Sequence, residues 1–265
     1  MTSERIIGDV AVTRLEGHVA QVEIRRGPNN FFDVALIRDL ATAFAELDED
    51  DAVRASVLCA EGKHFCAGAN FGSAADRESR AERREGERNP LYQAAVRLFE
   101  NRKYVVAAVQ GAAVGGGFGL AMFPDFRVGC PEARFTANFV KLGFTPGFGL
   151  TTVLPRAVGR QAANELFATG RRIGGEEALE LGILDRLVPQ AEVREAAIAF
   201  AREIAENAPL ALLSLRAQMR GDLAAAVQAA TDVENVEQFR LQQTEDYAEG
   251  VKAVAERRPG VFSGR

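Results

Sequence analysis

Gln110-Gly111-Ala112-Ala113-Val114-Gly115-Gly116-Gly117-Phe118-Gly119-Leu120 follows directly on the apolar run Tyr104 to Val109, and its reading decides the fold. The run is strand-like, and the three adjacent glycines open a short stretch with helical character, so the segment reads as buried strand, glycine turn, helix. Glutamine and glycine interrupt Val105 to Met122, which argues against a membrane span. Glycine allows a backbone N–H to approach a ligand closely, and a helix N-terminus adds positive potential there. The same glycines also suit tight packing of helix on strand. Gly115-x-Gly117-x-Gly119 is not a dinucleotide fingerprint, because its third glycine comes too early and the first strand of the chain lies elsewhere; no phosphate-loop lysine follows it.

Upstream, the strand around Val57-Leu58 leads into a second loop of small residues, His64-Phe65-Cys66-Ala67-Gly68-Ala69-Asn70. Two backbone N–H groups facing each other from two such loops bind a carbonyl oxygen and stabilise it as negative charge develops. Downstream, Phe126 to Val128 forms the next strand.

Residues 8–25 alternate apolar and polar around a turn at Glu16-Gly17, predicting a β-hairpin with Val10, Val12 and Leu15 leading in and Val19, Val22 and Ile24 leading out. Asp33 caps a helix carrying Leu36, Leu40, Phe44 and Leu47. Ser73 to Asn89 is dense in Arg and Glu, which fits a solvated mobile segment or a charged lid over a ligand. A helix resumes from Leu91 to Glu100. After Pro155 helical spacing prevails, over Ala162 to Ala168, Glu176 to Leu181, Glu192 to Glu206 and Leu210 to Arg220. Val227, Val233 and Val236 mark a stripe expected to face core or a neighbouring subunit. The expected organisation is an α/β core over residues 1–190 and a helical region over 191–265.

The chain has 265 residues, of which 47% are hydrophobic, enough for a sizeable core. Thirty-two Lys and Arg against 37 Asp and Glu give a net charge of −5, which argues against broad binding to nucleic acid or anionic membranes. Cys59, Cys66 and Cys130 have no metal-like spacing, and an odd count does not make a disulfide framework. With no apolar signal core after Met1, the expectation is a soluble cytoplasmic protein without a metal site.

Several motifs in order resemble the enoyl-CoA hydratase/isomerase family of the crotonase superfamily. They are Phe65-Cys66-Ala67-Gly68-Ala69-Asn70, Gln110-Gly111 with Gly115-Gly116-Gly117, Leu142-Gly143-Phe144-Thr145-Pro146-Gly147, Leu154-Pro155-Arg156-Ala157-Val158-Gly159, Thr169-Gly170-Arg171-Arg172-Ile173, Ala178 to Val188, and Glu256-Arg257-Arg258-Pro259-Gly260-Val261-Phe262. The resemblance spans nearly the whole chain from about residue 8. It implies an α/β, crotonase-like spiral of repeated β-β-α units followed by a helical trimerisation region, assembled as a homotrimer or dimer of trimers. It also implies an acyl-CoA substrate, with coenzyme A entering only as part of that substrate. Carried onto this chain, the backbone donors of the oxyanion hole fall at Ala69 and Gly116. Ala67 falls where the family backbone meets the adenine of coenzyme A, and Gly68, Asn70, Gly115 and Asn138 are the accompanying substrate-side positions.

The chain departs from the family at the acids. Hydration needs a base for water and an acid for the α-carbon. The family's two glutamates map to Gly119 and Phe139, which carry no titratable group, and the positions often acidic in related isomerases and dehalogenases, near Gly147 and Phe148, are not acidic. The expectation is a pocket more apolar and roomier than a hydratase's. An enzyme whose reaction need not be hydration and a non-catalytic acyl-CoA binder or assembly subunit are the two functional readings. His64, Cys66, Asp125 and Lys141 are weaker candidates for chemistry; Tyr92, Glu100 and Tyr104 are candidates for the acyl tunnel. Phe118, Phe139, Phe144 and Phe148 fit either an aromatic pocket wall or ordinary core.

Overall fold

The computed structural model describes residues 4–70, 84 and 86–265. The charged segment that the sequence offers as a lid lies mostly outside them.

Alternation of apolar and polar residues builds β1 (Glu4–Ile7), β2 (Val10–Arg14) and β3 (Val19–Ile24), an antiparallel meander whose β2–β3 pair is the expected hairpin. The Asp33 carboxylate accepts from Leu36 N at 2.9 Å and starts α1 (Val34–Asp48), whose Leu36, Leu40, Phe44 and Leu47 are buried as the 3.6-residue period requires. The chain continues through β4 (Ala55–Ala60), α2 (Pro90–Phe99), β5 (Tyr104–Val109), β6 (Ala112–Val114), α3 (Gly116–Ala121), β7 (Phe126–Gly129) and β8 (Arg134–Thr136). Next come α4 (Leu150–Val158), α5 (Arg160–Thr169), β9 (Arg172–Gly174), α6 (Gly175–Glu180) and β10 (Arg186–Leu187). Four helices close the chain: α7 (Val193–Ala205), α8 (Pro209–Arg220), α9 (Leu223–Leu241) and α10 (Glu245–Ala255).

The strands form two sheets. The larger has the order β1-β2-β3-β4-β5-β7-β10, parallel from β3 onward; β4 and β5 are buried along their whole length, as expected of parallel strands covered on both faces. The smaller has the order β6-β8-β9. Helix α7 packs across β3, β4, β5 and β7. Helix α8 is tied to the core by Arg216, whose guanidinium meets Asp125 at 2.9 Å and also bonds Asn101, while Arg220 reaches Asp125 at 3.2 Å. Asp125 also accepts from Val105 N at 2.8 Å, so it anchors the start of β5.

One sequence expectation is corrected here. Helical structure begins at Leu150 rather than after Pro155, which sits inside α4. Glu234 explains the early start, since it accepts from Gly149 N and Thr151 Oγ1 at 2.9 and 2.7 Å and so satisfies the first turn. The α9 stripe is divided between the core and the outer surface. Val227 is fully buried, but Val233 and Val236 are 65% and 59% exposed, and the inward face consists of Thr231, Glu234, Asn235 and Gln238.

Candidate functional site

A cavity of about 750 Å³ opens between the two small-residue loops, the segment after β3, and helices α2 and α9. The loops meet through backbone bonds: Cys66 N donates to Ala112 O and Val114 N to Cys66 O, both at 3.0 Å, forming a parallel bridge between Cys66 and Ala113. Gly115 N donates to Thr136 O at 2.8 Å, Ala67 N to Asn29 O at 3.0 Å, and Phe32 N to Gly68 O at 3.1 Å, so both loops are held from behind. Gly68 (φ 81°) and Gly115 (φ 55°) adopt backbone conformations that L side chains rarely take, and a Cβ on Gly68 would lie 2.6 Å from Val114 O. Glycine at these two places is what lets the loops close on each other.

The structure brings together in this cavity Ala67, Gly68, Ala69, Asn70, Gly115, Gly116, Asn138 and Phe139. Among the described residues, the N–H groups of Ala69 and Gly116 donate to no protein acceptor, although both residues line the cavity. Gly116 is packed by Phe32, whose ring occupies the space a Cβ would need. Gly119 is buried beneath the cavity wall and does not line it.

Beside Gly119 the room left by the missing side chain is taken up. A Cβ on Gly119 would lie 3.0 Å from Phe148 Cδ1, so the Phe148 ring fills the place a longer side chain would take. Phe148 is 1% exposed at φ 64°, a left-handed conformation unusual for an aromatic residue, and its ring packs on Phe32 at 5.6 Å. Phe139 packs edge-on against Phe144 at 5.6 Å, and both line the cavity with Phe148 and Leu142. Phe118 packs on Phe135 in the core instead.

The wall is less apolar than expected at one point. Tyr92 Oη donates to Gln238 Oε1 at 2.6 Å, and Gln238 Nε2 donates to Thr145 O at 2.8 Å. This pair stands where a side chain on Gly147 would project: a Cβ there would lie 2.7 Å from Gln238 Nε2 and closer still to Tyr92 Oη. Of the tunnel candidates, Tyr92 lines the cavity, whereas Glu100 is exposed and Tyr104 stacks on Phe126. At another part of the wall, Arg26 pairs with Asp33 and Asp9 at 2.9 and 2.7 Å. Partial burial pulls the guanidinium down, but the bonds to these two carboxylates outweigh it and hold Arg26 above its ordinary range.

The weaker candidates separate clearly. Burial pushes the Cys66 thiol up to about 12, so it is a packing group rather than a thiolate nucleophile. His64 lines a different hollow, of about 410 Å³, with Lys63, Arg134 and Arg172. Lys141 is exposed. Among the described residues no cluster of His, Cys, Asp and Glu is arranged to hold a metal, and no helix is long and apolar enough to cross a membrane. Sequence reasoning missed Arg26, Phe32 and Gln238. The Arg25-Arg26 pair beside a glycine-proline turn was the one signal for Arg26, and Gln238 had none beyond its place on a helix.

A two-sheet α/β fold with paired glycine loops over a deep cavity defines the crotonase class of protein. The enoyl-CoA hydratase/isomerase profile matches residues 14–265, and the chain belongs to that family. It is 32% identical over 255 residues to the carnitinyl-CoA dehydratase of Escherichia coli, covering 94% of this chain and 96% of that one. Among solved structures it is similar to an enoyl-CoA hydratase/isomerase from Pseudoalteromonas atlantica, with a TM-score of 0.82 and 26% identity over 96% of this chain and all of that one. It is also similar to an enoyl-CoA hydratase from Bacillus anthracis, with a TM-score of 0.73 and 28% identity over 97% of this chain and all of that one.

Proposed function

We propose that the protein is an acyl-CoA lyase or isomerase that polarises a thioester carbonyl between the N–H groups of Ala69 and Gly116 and does not carry out hydration by a glutamate pair. The observation that carries this reading is the pair of backbone donors, both on the cavity wall and both without an acceptor among the described residues. Such donors, fixed before the substrate arrives, stabilise an enolate at no cost of reorganisation. Ala67 meets the adenine of coenzyme A, and Gly68, Asn70, Gly115 and Asn138 are the accompanying substrate-binding positions. Coenzyme A enters with the substrate, and no further cofactor takes part.

With Gly119 covered by Phe148 and Phe139 packed on Phe144, neither glutamate position offers a base or an acid. A carbon–carbon cleavage, by decarboxylation, retro-aldol or retro-Claisen reaction, fits such a site. In each case the bond from the α-carbon to the leaving fragment breaks and its electron pair passes into the enolate, whose α-carbon then takes a proton from water. Decarboxylation releases carbon dioxide. Retro-aldol cleavage releases an aldehyde or ketone as water accepts its hydroxyl proton, and retro-Claisen cleavage first adds water to the 3-oxo carbon and releases a carboxylic acid. The protein works in the cytoplasm as a homotrimer or dimer of trimers, with residues 191–265 supplying much of the subunit contact.

The test combines a mass-spectrometric screen of acyl-CoAs with Gly116→Pro, which deletes one donor, measured beside Gly116→Ala, which sets the same carbon against Phe32 but keeps the N–H. Loss of one such donor costs roughly a hundred- to a thousandfold in rate. The expected result is turnover of at least one thioester by the native chain and a drop of that size in a folded Gly116→Pro variant. Turnover that survives the substitution sinks the donor assignment. Thioester binding without turnover across the panel makes the protein a non-catalytic binder.

A further inference from the structure

Two of the positions that the resemblance marks as acidic, Gly119 and Gly147, are filled in this chain by side chains from elsewhere in the sequence, and at Gly147 the replacement is polar. Tyr92 from α2 and Gln238 from α9 meet over Gly147, on a cavity wall that also carries the rings of Phe139, Phe144 and Phe148. Setting a phenol and an amide among rings costs desolvation, which their mutual hydrogen bond only partly offsets. Two of the contacts of Gln238 are fixed: Oε1 accepts from Tyr92, and one Nε2 hydrogen goes to Thr145 O. An amide nitrogen carries two hydrogens. The second makes no hydrogen bond to another described residue, and Gln238 lines the cavity.

We propose that Gln238, held in place by Tyr92 and Thr145, is the specificity-determining residue of the acyl site, and that it selects acyl groups carrying a neutral oxygen (hydroxyl or ketone) beyond the thioester carbonyl. This rests on the thioester-binding reading above. The recognised oxygen is neutral because the charged side chains on the cavity wall, among the described residues, are Arg26 and Asp33, already paired with each other; a carboxylate beside Gln238 would be buried without a cation. The requirement for Gly147 follows directly, since any side chain there would displace the pair. Of the cleavages compatible with the site, those of 3-hydroxyacyl and 3-oxoacyl thioesters carry such an oxygen.

Calorimetric titration of the native chain with butyryl-CoA, its 3-hydroxy, 3-oxo and 4-hydroxy counterparts, and succinyl-CoA tests the assignment. At least one neutral oxygenated acyl group is expected to bind 10-fold or more tighter than butyryl-CoA, and succinyl-CoA is expected to show no such gain. In Gln238→Leu, and in Gly147→Ala, that ratio collapses to within about twofold. Tyr92→Phe keeps the ring and removes the bond that orients the amide, so it reduces the ratio without abolishing it. Equal affinities in the native chain, a preference for the carboxylate, or a ratio retained by a folded Gln238→Leu variant would each overturn the assignment. Failure of the native chain to bind any of the thioesters instead removes the acyl-CoA reading itself.

Discussion

A glutamate at position 119 would need the volume now taken by the Phe148 ring, which a Cβ alone would already approach to 3.0 Å. Restoring the family acids as Gly119→Glu with Phe139→Glu therefore overpacks one site and breaks the Phe139–Phe144 contact at the other. Overpacking alone costs about 1–3 kcal/mol, and burying two unpaired carboxyls adds to that. The double variant is expected to melt well below the native chain and to show no hydration of crotonyl-CoA. Adding Phe148→Gly clears the space and places glycine at φ 64°, a conformation it adopts freely. Hydration measured by loss of the enoyl absorbance is expected to appear only in the triple variant; its appearance in the double variant would show that Phe148 does not block the position.

Glu234 acts one scale up, by joining α9 to the start of α4. Burial raises its pKa, while its bonds from Thr151 and Gly149 pull the other way without cancelling the rise. The stability this carboxyl contributes is present below the ordinary glutamate range and is lost as pH rises through its elevated folded value. Glu234→Gln keeps an acceptor for Gly149 N and does not ionise. Differential scanning at pH 4 and pH 7.5 should find the variant gaining on the native chain as pH increases; a constant difference would show that the carboxyl does not titrate across that window. The same helix shows what the sequence made legible. The β2–β3 hairpin, α1 with its Asp33 cap, and strands β4, β5 and β7 follow local rules of period and capping, and the donor loops are marked by runs of small residues. The inward face of α9 breaks the rule that buried positions are apolar: Glu234, Asn235 and Gln238 point inward while Val233 and Val236 point out. Partners supplied by distant segments make those polar groups tolerable, and a single sequence does not display such partners. The refilling of Gly119 by Phe148 was hidden for a different reason, since it depends on a left-handed turn at an aromatic residue.

At the scale of the molecule, the outward side chains of the C-terminal helices are the unresolved energetic cost. Leu210 is 80% exposed, Met219 77%, Val233 65% and Val236 59%, and Phe262 near the C-terminus is 45% exposed. Scattered exposed apolar residues are ordinary, but here they gather on α8, α9 and the segment after α10, the region that the family resemblance assigns to subunit contact. Burying apolar surface is worth roughly 25 cal/mol per Å², so several such side chains covered by copies of the same chain supply a substantial part of an association free energy. Light scattering after size exclusion is expected to give the mass of three or six chains. Val233→Asp with Val236→Asp puts two carboxylates on this face and should shift the mass toward the single chain at low micromolar concentration. Neither position lines the cavity, so acyl-CoA affinity separates the two levels of organisation: retention in a dissociated variant means that each chain completes its own site, whereas loss means that the cavity depends on a neighbour. An unchanged mass in the double variant would place the subunit contact elsewhere on the molecule.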